Sequence, residues 1–336
     1  MRLAMIQQNA TIYMVLNPSS AADEALRELV SELREGGYRV CPRCTWEEGD
    51  GARAVAEAAA DNAQLVVACG GDGTLHEVAN ALMTLDAAQR PAMAGLPYGT
   101  GNDFLTALGV DPKSGAAQLA DWLGGEPWPV DVGRINDRHF INMATAGVGA
   151  TVTAETSRGF KDVAGSLAYF VKAIPAAFDM PVHHLNARAP GLEWEGEAAF
   201  IFVGNGPQSG GGWNFCPAAQ IDDGLLDLVI VPAMGLTEMI AQMRELVKQP
   251  DAVDCHDIIY RQVKEAHLRF EEEVPLNLDG ESFPGQEFKF SVIPGVLSFL
   301  GPRAPTVSAE DDGAESDQGG AKVLGEEGEI RPDPRA

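Results

Sequence analysis

Three glycines frame one aspartate in "VVACGGDGTLHEVANAL", residues 66 to 82. An apolar run ends in Gly70-Gly71, and the apolar spacing of Leu75, Val78, Ala79 and Leu82 predicts a helix beginning near Leu75. Asp72, Gly73 and Thr74 are then the connecting turn. Glycines let a ligand approach the backbone amides closely. A helix start adds unpaired N–H groups and partial positive charge, which suits phosphate oxygens. Asp72 would repel a bare phosphate, so its presence fits a nucleotide carried with a divalent cation between carboxylate and phosphates. The plainer alternative is that Asp72 or Thr74 simply caps the helix.

A second glycine-rich turn, "LPYGTGNDF" (96–104), offers the Thr100 hydroxyl. It reads either as a phosphate contact or as a loop with Asn102 and Asp103 capping a helix. Two further acidic turns could also do chemistry. "QIDDGLL" (220–226) bends at Gly224, and "NLDGESF" (277–283) places Asp279-Gly280 between strand-like runs. Both read first as hairpins. Asp279 becomes a candidate general base only if it reaches a cleft within hydrogen-bond distance of an acceptor hydroxyl.

No lysine precedes Lys113, which excludes a G-x-x-x-x-G-K-[ST] loop and a kinase-type strand lysine from this part of the chain. G-x-G-x-x-G fails as well, because His76 stands where the last glycine is required. Cys41 and Cys44 have C-x-x-C spacing, but no second pair completes a site, and they read as separate structural cysteines. His183 and His184 read as surface residues of a strand.

The elements that must carry these turns follow from periodicity. "TIYMVLNP", "YRVCPRCTW", "QLVVACGG" and "PAMAGLP" read as strands. The first three are separated by helical patterns in "AADEALRELVSELREGG" and "GARAVAEAAADNA". This alternation implies a parallel sheet with helices on its faces and ligands at the carboxyl ends of its strands. After about residue 128 the runs become short and strand-like ("FINMATAGVGA", "AAFIFVGNG", "LLDLVIVPA", "AHLRFEE", "VPLNLDGE", "EFKFSVIPG"), which implies a mainly antiparallel domain. Only "AGSLAYFVKAIPAAF" and "LTEMIAQMRELVKQ" look helical there. Ala304 onward holds nine acidic and three basic residues and reads as a disordered acidic tail.

The 336 residues carry a net charge of -25, which argues against nucleic acid as a partner and against broad adhesion to anionic lipid. Five cysteines do not form a disulfide framework, and neither a signal peptide nor a membrane span is expected.

"GGDGT" (70–74) with "LPYGTGNDF" resembles the catalytic domain of the diacylglycerol kinase superfamily. In matching order, "TWEEGD" (45–50), "INMATAGVGATVTAET" (141–156), "GNGPQSGGG" (204–212), "CPAAQIDDGLLDL" (216–228) and "NLDGE" (277–281) resemble the bacterial YegS-type lipid kinases. The resemblance covers about residues 10 to 302. It implies an α/β N-terminal domain over 1–130, its parallel sheet like that of NAD kinases and phosphofructokinases, completed by a last strand near 291–302. It further implies a mainly antiparallel β domain over 131–290, with the acidic tail at 303–336. By the same resemblance, Thr45, Gly70, Gly71, Asp72, Gly73, Thr74, Leu75, His76, Glu77 and Thr100 contact ATP, and Asp279 is the general base, assisted by Glu281. The Asp223 carboxylate and the carbonyls of Gln220 and Leu225 hold Mg2+, or Ca2+, in a structural role.

The expected activity is transfer of the ATP γ-phosphate to a hydroxyl of a membrane lipid of diacylglycerol or phosphatidylglycerol type. The expected location is cytoplasmic, with transient contact at the inner membrane face and no stable protein partner. "GSLAYFVKAIPAAFDM" (165–180) is a candidate docking lip or an internal helix. The alternatives are a kinase of a soluble acceptor such as NAD, or a nucleotide-binding protein without turnover.

Overall fold

The structure is a computed structural model that describes residues 6–7, 9–112, 116–147, 182–235, 237–239, 241–243 and 257–303. The 165–180 stretch, the acidic tail and most of "LTEMIAQMRELVKQ" lie outside the described residues. Residues up to Ala304 form one compact unit.

Its first part alternates strand and helix. β1 (Thr11–Leu16), β2 (Arg39–Cys44), β3 (Leu65–Gly70) and β4 (Ala92–Pro97) pair in parallel in the order β4-β3-β1-β2. β3 and β4 are buried along their whole length, as strands covered on both faces must be. α1 (Pro18–Ala21) follows β1 and leads into α2 (Glu24–Glu35). α2 starts where the Asp23 carboxylate accepts the Leu26 amide, and it buries Leu26, Leu29, Val30 and Leu33. α3 (Asp50–Ala60) and α4 (Asp72–Met83) pack on the other side of the sheet. Cys41 and Cys44 lie on β2 as free thiols.

α4 begins at Asp72, a turn earlier than the apolar spacing predicts. The amides of Thr74 and Leu75 already bond to the Gly71 carbonyl, so the polar residues of the motif belong to the helix's first turn. Leu75 is completely buried among Val78, Leu105 and Phe104 in the core under the sheet. Leu75→Ala is expected to cost about 2–5 kcal/mol, read as a lower urea midpoint at constant slope.

α5 (Asp103–Ala107) and α6 (Ala117–Trp122) precede β5 (Trp128–Ile135), β6 (Arg138–Phe140) and β7 (Met143–Ala146). β8 (His183–Ala189), β9 (Leu192–Gly204), β12 (Leu226–Pro232), β13 (Ile259–Val263), β14 (Glu265–Leu278) and β15 (Glu281–Phe299) complete the main sheet, and the short β10 (Gln208–Ser209) and β11 (Trp213–Asn214) pair separately. The pairings among β5–β9 and β12–β15 are antiparallel. The expected boundary near residue 130 falls inside β5.

Two expected breaks are not breaks. "AHLRFEE" and "VPLNL" form the single strand β14, whose register shifts between Arg269 and Val274. β15 continues through Pro294-Gly295 with another shift between Ile293 and Leu297. Bulges absorb the residues that look like turn formers. β15 pairs with β14 at one end and reaches β4, in parallel, only through Phe299 opposite Met93. His183 is another difference: it is buried on β8, edge-on to Phe270, because it occupies an inward position of the strand's alternation.

Candidate active site

The parallel strands end together. Leu16 is in register with Cys44 and Cys69, and Gly70 with Pro97, so Thr45, Gly71 and Tyr98 leave one edge of the sheet. The two glycine turns touch there backbone to backbone: a Cβ on Gly99 would lie 2.3 Å from the Gly71 Cα. No side chain caps α4, so its leading amides meet the turn directly. Gly73 and Thr100 are exposed at the same edge, whereas Gly70 is buried beneath the Thr74 side chain. The Thr45 hydroxyl bonds to the Leu16 carbonyl at 3.2 Å.

Asp72 does not cap its own helix. Its Oδ1 accepts the Phe104 amide at 3.2 Å, so it caps α5 from across the gap between the two turns. Asp103 turns the other way, into a cup of amides: Gly211 donates to its Oδ2 at 2.9 Å and Gly212 to its Oδ1 at 2.5 Å. Gly210, Gly211 and Gly212 all have positive φ (69°, 87° and 95°), which curls successive N–H groups around one anion. This contact ties "YGTGND" to "GNGPQSGGG". Asn102 closes its own loop, accepting from the Gly99 amide and donating to the Gly99 carbonyl. Burial pushes the Asp72 carboxyl up, and the charges of Asp103 and Asp279 add to this, while the Phe104 and Asp103 amides oppose it. Crowded carboxylates beside an uncapped helix start suit a divalent cation accompanying phosphate.

Asp279 is the first residue of a two-residue turn joining β14 to β15. Asp279 and Gly280 have φ of 49° and 101°, the positive pair that a tight type I′ hairpin requires. The Asp279 carboxylate is only 1% exposed. Oδ1 accepts the amides of Asn142 (3.1 Å) and Met143 (2.8 Å). Oδ2 accepts the Ile141 amide (2.7 Å) and meets His76 Nδ1 at 2.9 Å. His76 stands one helical turn beyond Asp72 on α4, so the two aspartates, remote in sequence, share one neighbourhood. His76 is pushed down by burial, but the hydrogen bond and charge of Asp279, with Glu281, raise it overall against the opposing Arg138.

Leu75, His76 and Glu77, which close the Gly70–Glu77 stretch of the expected ATP set, do not face the turn. Leu75 is in the core. His76 is committed to Asp279. Glu77 accepts the Gly51 amide at 2.9 Å and so caps α3, whose own N-cap, Gly49, has no side chain to do it. A helix that starts at Asp72 rotates these positions away from its amino end.

In the acidic turn, Asp223 Oδ1 accepts the Leu225 amide at 2.9 Å. Asp131, on β5, accepts the amides of Gly224 and Gly295 at 2.6 Å each, pinning this turn to the bend of β15. Burial lifts the Asp223 carboxyl to about 6, the Leu225 amide opposes, and Asp131 and Asp222 lift it further. Among the described residues no three His, Cys, Asp or Glu side chains converge as a metal cage. A cation here would rest on one carboxylate and main-chain carbonyls, as the Gln220, Asp223 and Leu225 set requires, and the excess of negative charge fits that. Asp131 was not expected from the sequence; its signal was a lone carboxylate between two valines of a strand.

Residues 11–135 match the family described as diacylglycerol kinase catalytic domain. Residues 142–301 match the YegS C-terminal NAD kinase beta sandwich-like domain. The "Probable lipid kinase YegS-like" of Enterobacter sp. (strain 638) is 37% identical over 287 residues, covering 85% of this chain and 94% of the relative. Its counterpart in Pseudomonas aeruginosa strain PAO1 is 39% identical over 286 residues, covering 85% and 92%. A crystal structure of a diacylglycerol kinase from Bacillus anthracis str. Sterne shares the fold, with a TM-score of 0.67 at 23% identity over 89% of this chain and 98% of its own. A second crystal structure from that organism gives 0.72 at 26% identity over the same shares.

Proposed function

Because this chain belongs to the YegS-like lipid kinases, with a diacylglycerol kinase catalytic domain, we propose that it transfers the γ-phosphate of ATP to a hydroxyl of a membrane lipid of diacylglycerol or phosphatidylglycerol type. It is a phosphotransferase with an alcohol acceptor. The observation that supports the finer reading is the meeting of α4 with the β14–β15 turn. A helix whose amino end can receive phosphate oxygens also carries, one turn on, the side chain bonded to the candidate base.

In this reading the amides at the start of α4, the Gly99–Gly101 turn, Thr45 and Thr100 receive the triphosphate. Asp72 would hold a divalent cation such as Mg2+ at this edge, and the ion would supply neutralisation of phosphate charge that backbone donors cannot. The acceptor hydroxyl gives its proton to Asp279 Oδ2 as its oxygen bonds to the γ-phosphorus. The bond from that phosphorus to the bridging oxygen breaks, leaving ADP and a phosphorylated lipid. The work is positioning and charge neutralisation, with the proton accepted late. No helix among the described residues is long and apolar enough to cross a membrane. In this reading the lipid is reached by transient contact at the inner membrane face.

Radiolabelled ATP offered with diacylglycerol, phosphatidylglycerol and sphingosine in mixed micelles, with NAD alongside, tests the reading. Label in a glycerolipid is expected. Label confined to NAD, or to no acceptor at all, rejects it. A cation held in the acidic turn would stabilise the fold. Removing divalent cations with EDTA should lower the thermal midpoint of the wild type by about 2–4 °C. The midpoint of Asp223→Ala should not respond, and an EDTA-insensitive wild type would remove the ion from this turn.

A further inference from the structure

A base needs a free lone pair, and in this structure Asp279 has none. A carboxylate offers about four acceptor positions. The amides of Ile141, Asn142 and Met143 and the His76 ring occupy all four. An acceptor hydroxyl therefore has to displace one of them. The three amides are fixed by the sheet: β7 starts at Met143, Asp279 N returns a bond to the Met143 carbonyl, and the Asn142 carbonyl holds the Asn205 amide. His76 is the one donor that leaves by side-chain rotation alone.

The ring's protonation is legible from Asn80. Its Nδ2 lies 3.0 Å from the His76 carbonyl and 3.4 Å from the His139 carbonyl. An amide oxygen in that position would repel both, so the NH2 group must face them. The same Nδ2 is 3.1 Å from His76 Nε2. Nε2 is then an acceptor, and the neutral ring carries its proton on Nδ1, pointed at Asp279.

We propose that His76 is a positioning residue that keeps the acceptor place on Asp279 Oδ2 until the lipid hydroxyl takes it, and that it gives way only as the neutral ring. This rests on the reading of Asp279 as the base. A neutral N–H bond is exchanged for a hydroxyl bond of similar strength. An imidazolium bonded to a carboxylate adds the attraction of opposite charges in a buried site, and a hydroxyl does not displace it.

The charges acting on the ring are known from each neighbouring element. Asp279 and Glu281 at the β14–β15 turn favour the imidazolium, and Arg138 on β6 disfavours it. His139, also on β6, shares Asn80 and is itself lowered by burial and then by Arg134 and Arg90. On α4, Glu77 is turned to α3 and Asp72 to α5. The net shift of His76 is upward, so the imidazolium persists to higher pH than in a free histidine, and transfer falls as pH drops through that raised value.

His76→Asn tests this with little change of shape. The asparagine amide nitrogen sits one bond beyond Cγ, where Nδ1 does, and donates to Asp279 without titrating. The pH profile of kcat/KM for lipid phosphorylation is expected to lose the part of its acid limb that His76 contributes. Its half-plateau should move down by about one pH unit or more. In parallel, nitrogen-15 NMR of the full chain should find the neutral Nδ1–H form of His76, and its titration midpoint should fall in Asp279→Asn.

An unmoved acid limb, an inactive His76→Asn, a neutral Nε2–H form or a titration blind to Asp279→Asn would each overturn the proposal. Failure of the wider reading has a different signature. It appears as full turnover in Asp279→Asn, or no labelled lipid from the wild type, while the NMR result still judges the His76–Asp279 link.

Discussion

Asp279→Asn is expected to lower kcat for lipid phosphorylation by about 100- to 10,000-fold, the range for loss of a general base. ATP affinity should stay nearly unchanged, because the phosphate seat belongs to other elements. The same substitution also disturbs the fold locally. An asparagine has one acceptor oxygen where the carboxylate had two. If that oxygen keeps the amides of Asn142 and Met143, the new NH2 group faces the Ile141 amide, leaving a buried donor unpaired at a cost of about 1–3 kcal/mol. Kinetics and a denaturant titration on one preparation separate the two effects. A variant that is destabilised yet turns over at the wild-type rate would make Asp279 a structural anchor and nothing more.

Gly99→Ala is expected to do its damage through the backbone. The added Cβ would sit 2.3 Å from the Gly71 Cα and 2.9 Å from Asn102 Oδ1, and the first of these is main chain that cannot swing aside. The two turns must part, at a cost of about 1–3 kcal/mol in stability. Their separation also spoils the seat formed by the α4 amides and the 98–103 turn, so ATP affinity should fall about tenfold or more, a loss of about 1.4 kcal/mol or above. Isothermal titration with ATP and a urea melt read the two quantities. Gly73→Ala is the control for stability: nothing lies within 4 Å of its Cβ, and alanine is the better residue in a helix. If Gly99→Ala melted and bound ATP like the wild type, the contact between the turns would be irrelevant.

The first hundred residues were legible because each element there announces itself. Leu26, Leu29, Val30 and Leu33 mark one helix face, and β1, β3 and β4 each end at a glycine or proline turn. The long antiparallel strands were not. Pro294-Gly295 has turn composition and Glu271–Glu273 interrupts the apolar alternation, yet both lie at bulges inside β14 and β15, where pairing resumes beyond each register shift. At the site, residue types and the turns that hold them were readable, but side-chain direction was not. One turn's difference in where α4 begins decides that His76 meets Asp279 and Glu77 meets Gly51, instead of facing the phosphate seat. The Asp103 cup of glycine amides could not be foreseen either, since it joins residues more than a hundred positions apart.

The reach of β15 has a consequence for how the chain is made. β4 has β3 on one side, and on the other it awaits Phe299 and Leu300, whose amide bonds to the Met93 carbonyl at 2.7 Å. During synthesis at about 5–20 residues per second, that flank stays bare while some two hundred further residues leave the ribosome. The nascent intermediate thus displays an apolar, unpaired strand for tens of seconds, the kind of surface that chaperones bind and that drives aggregation on overexpression.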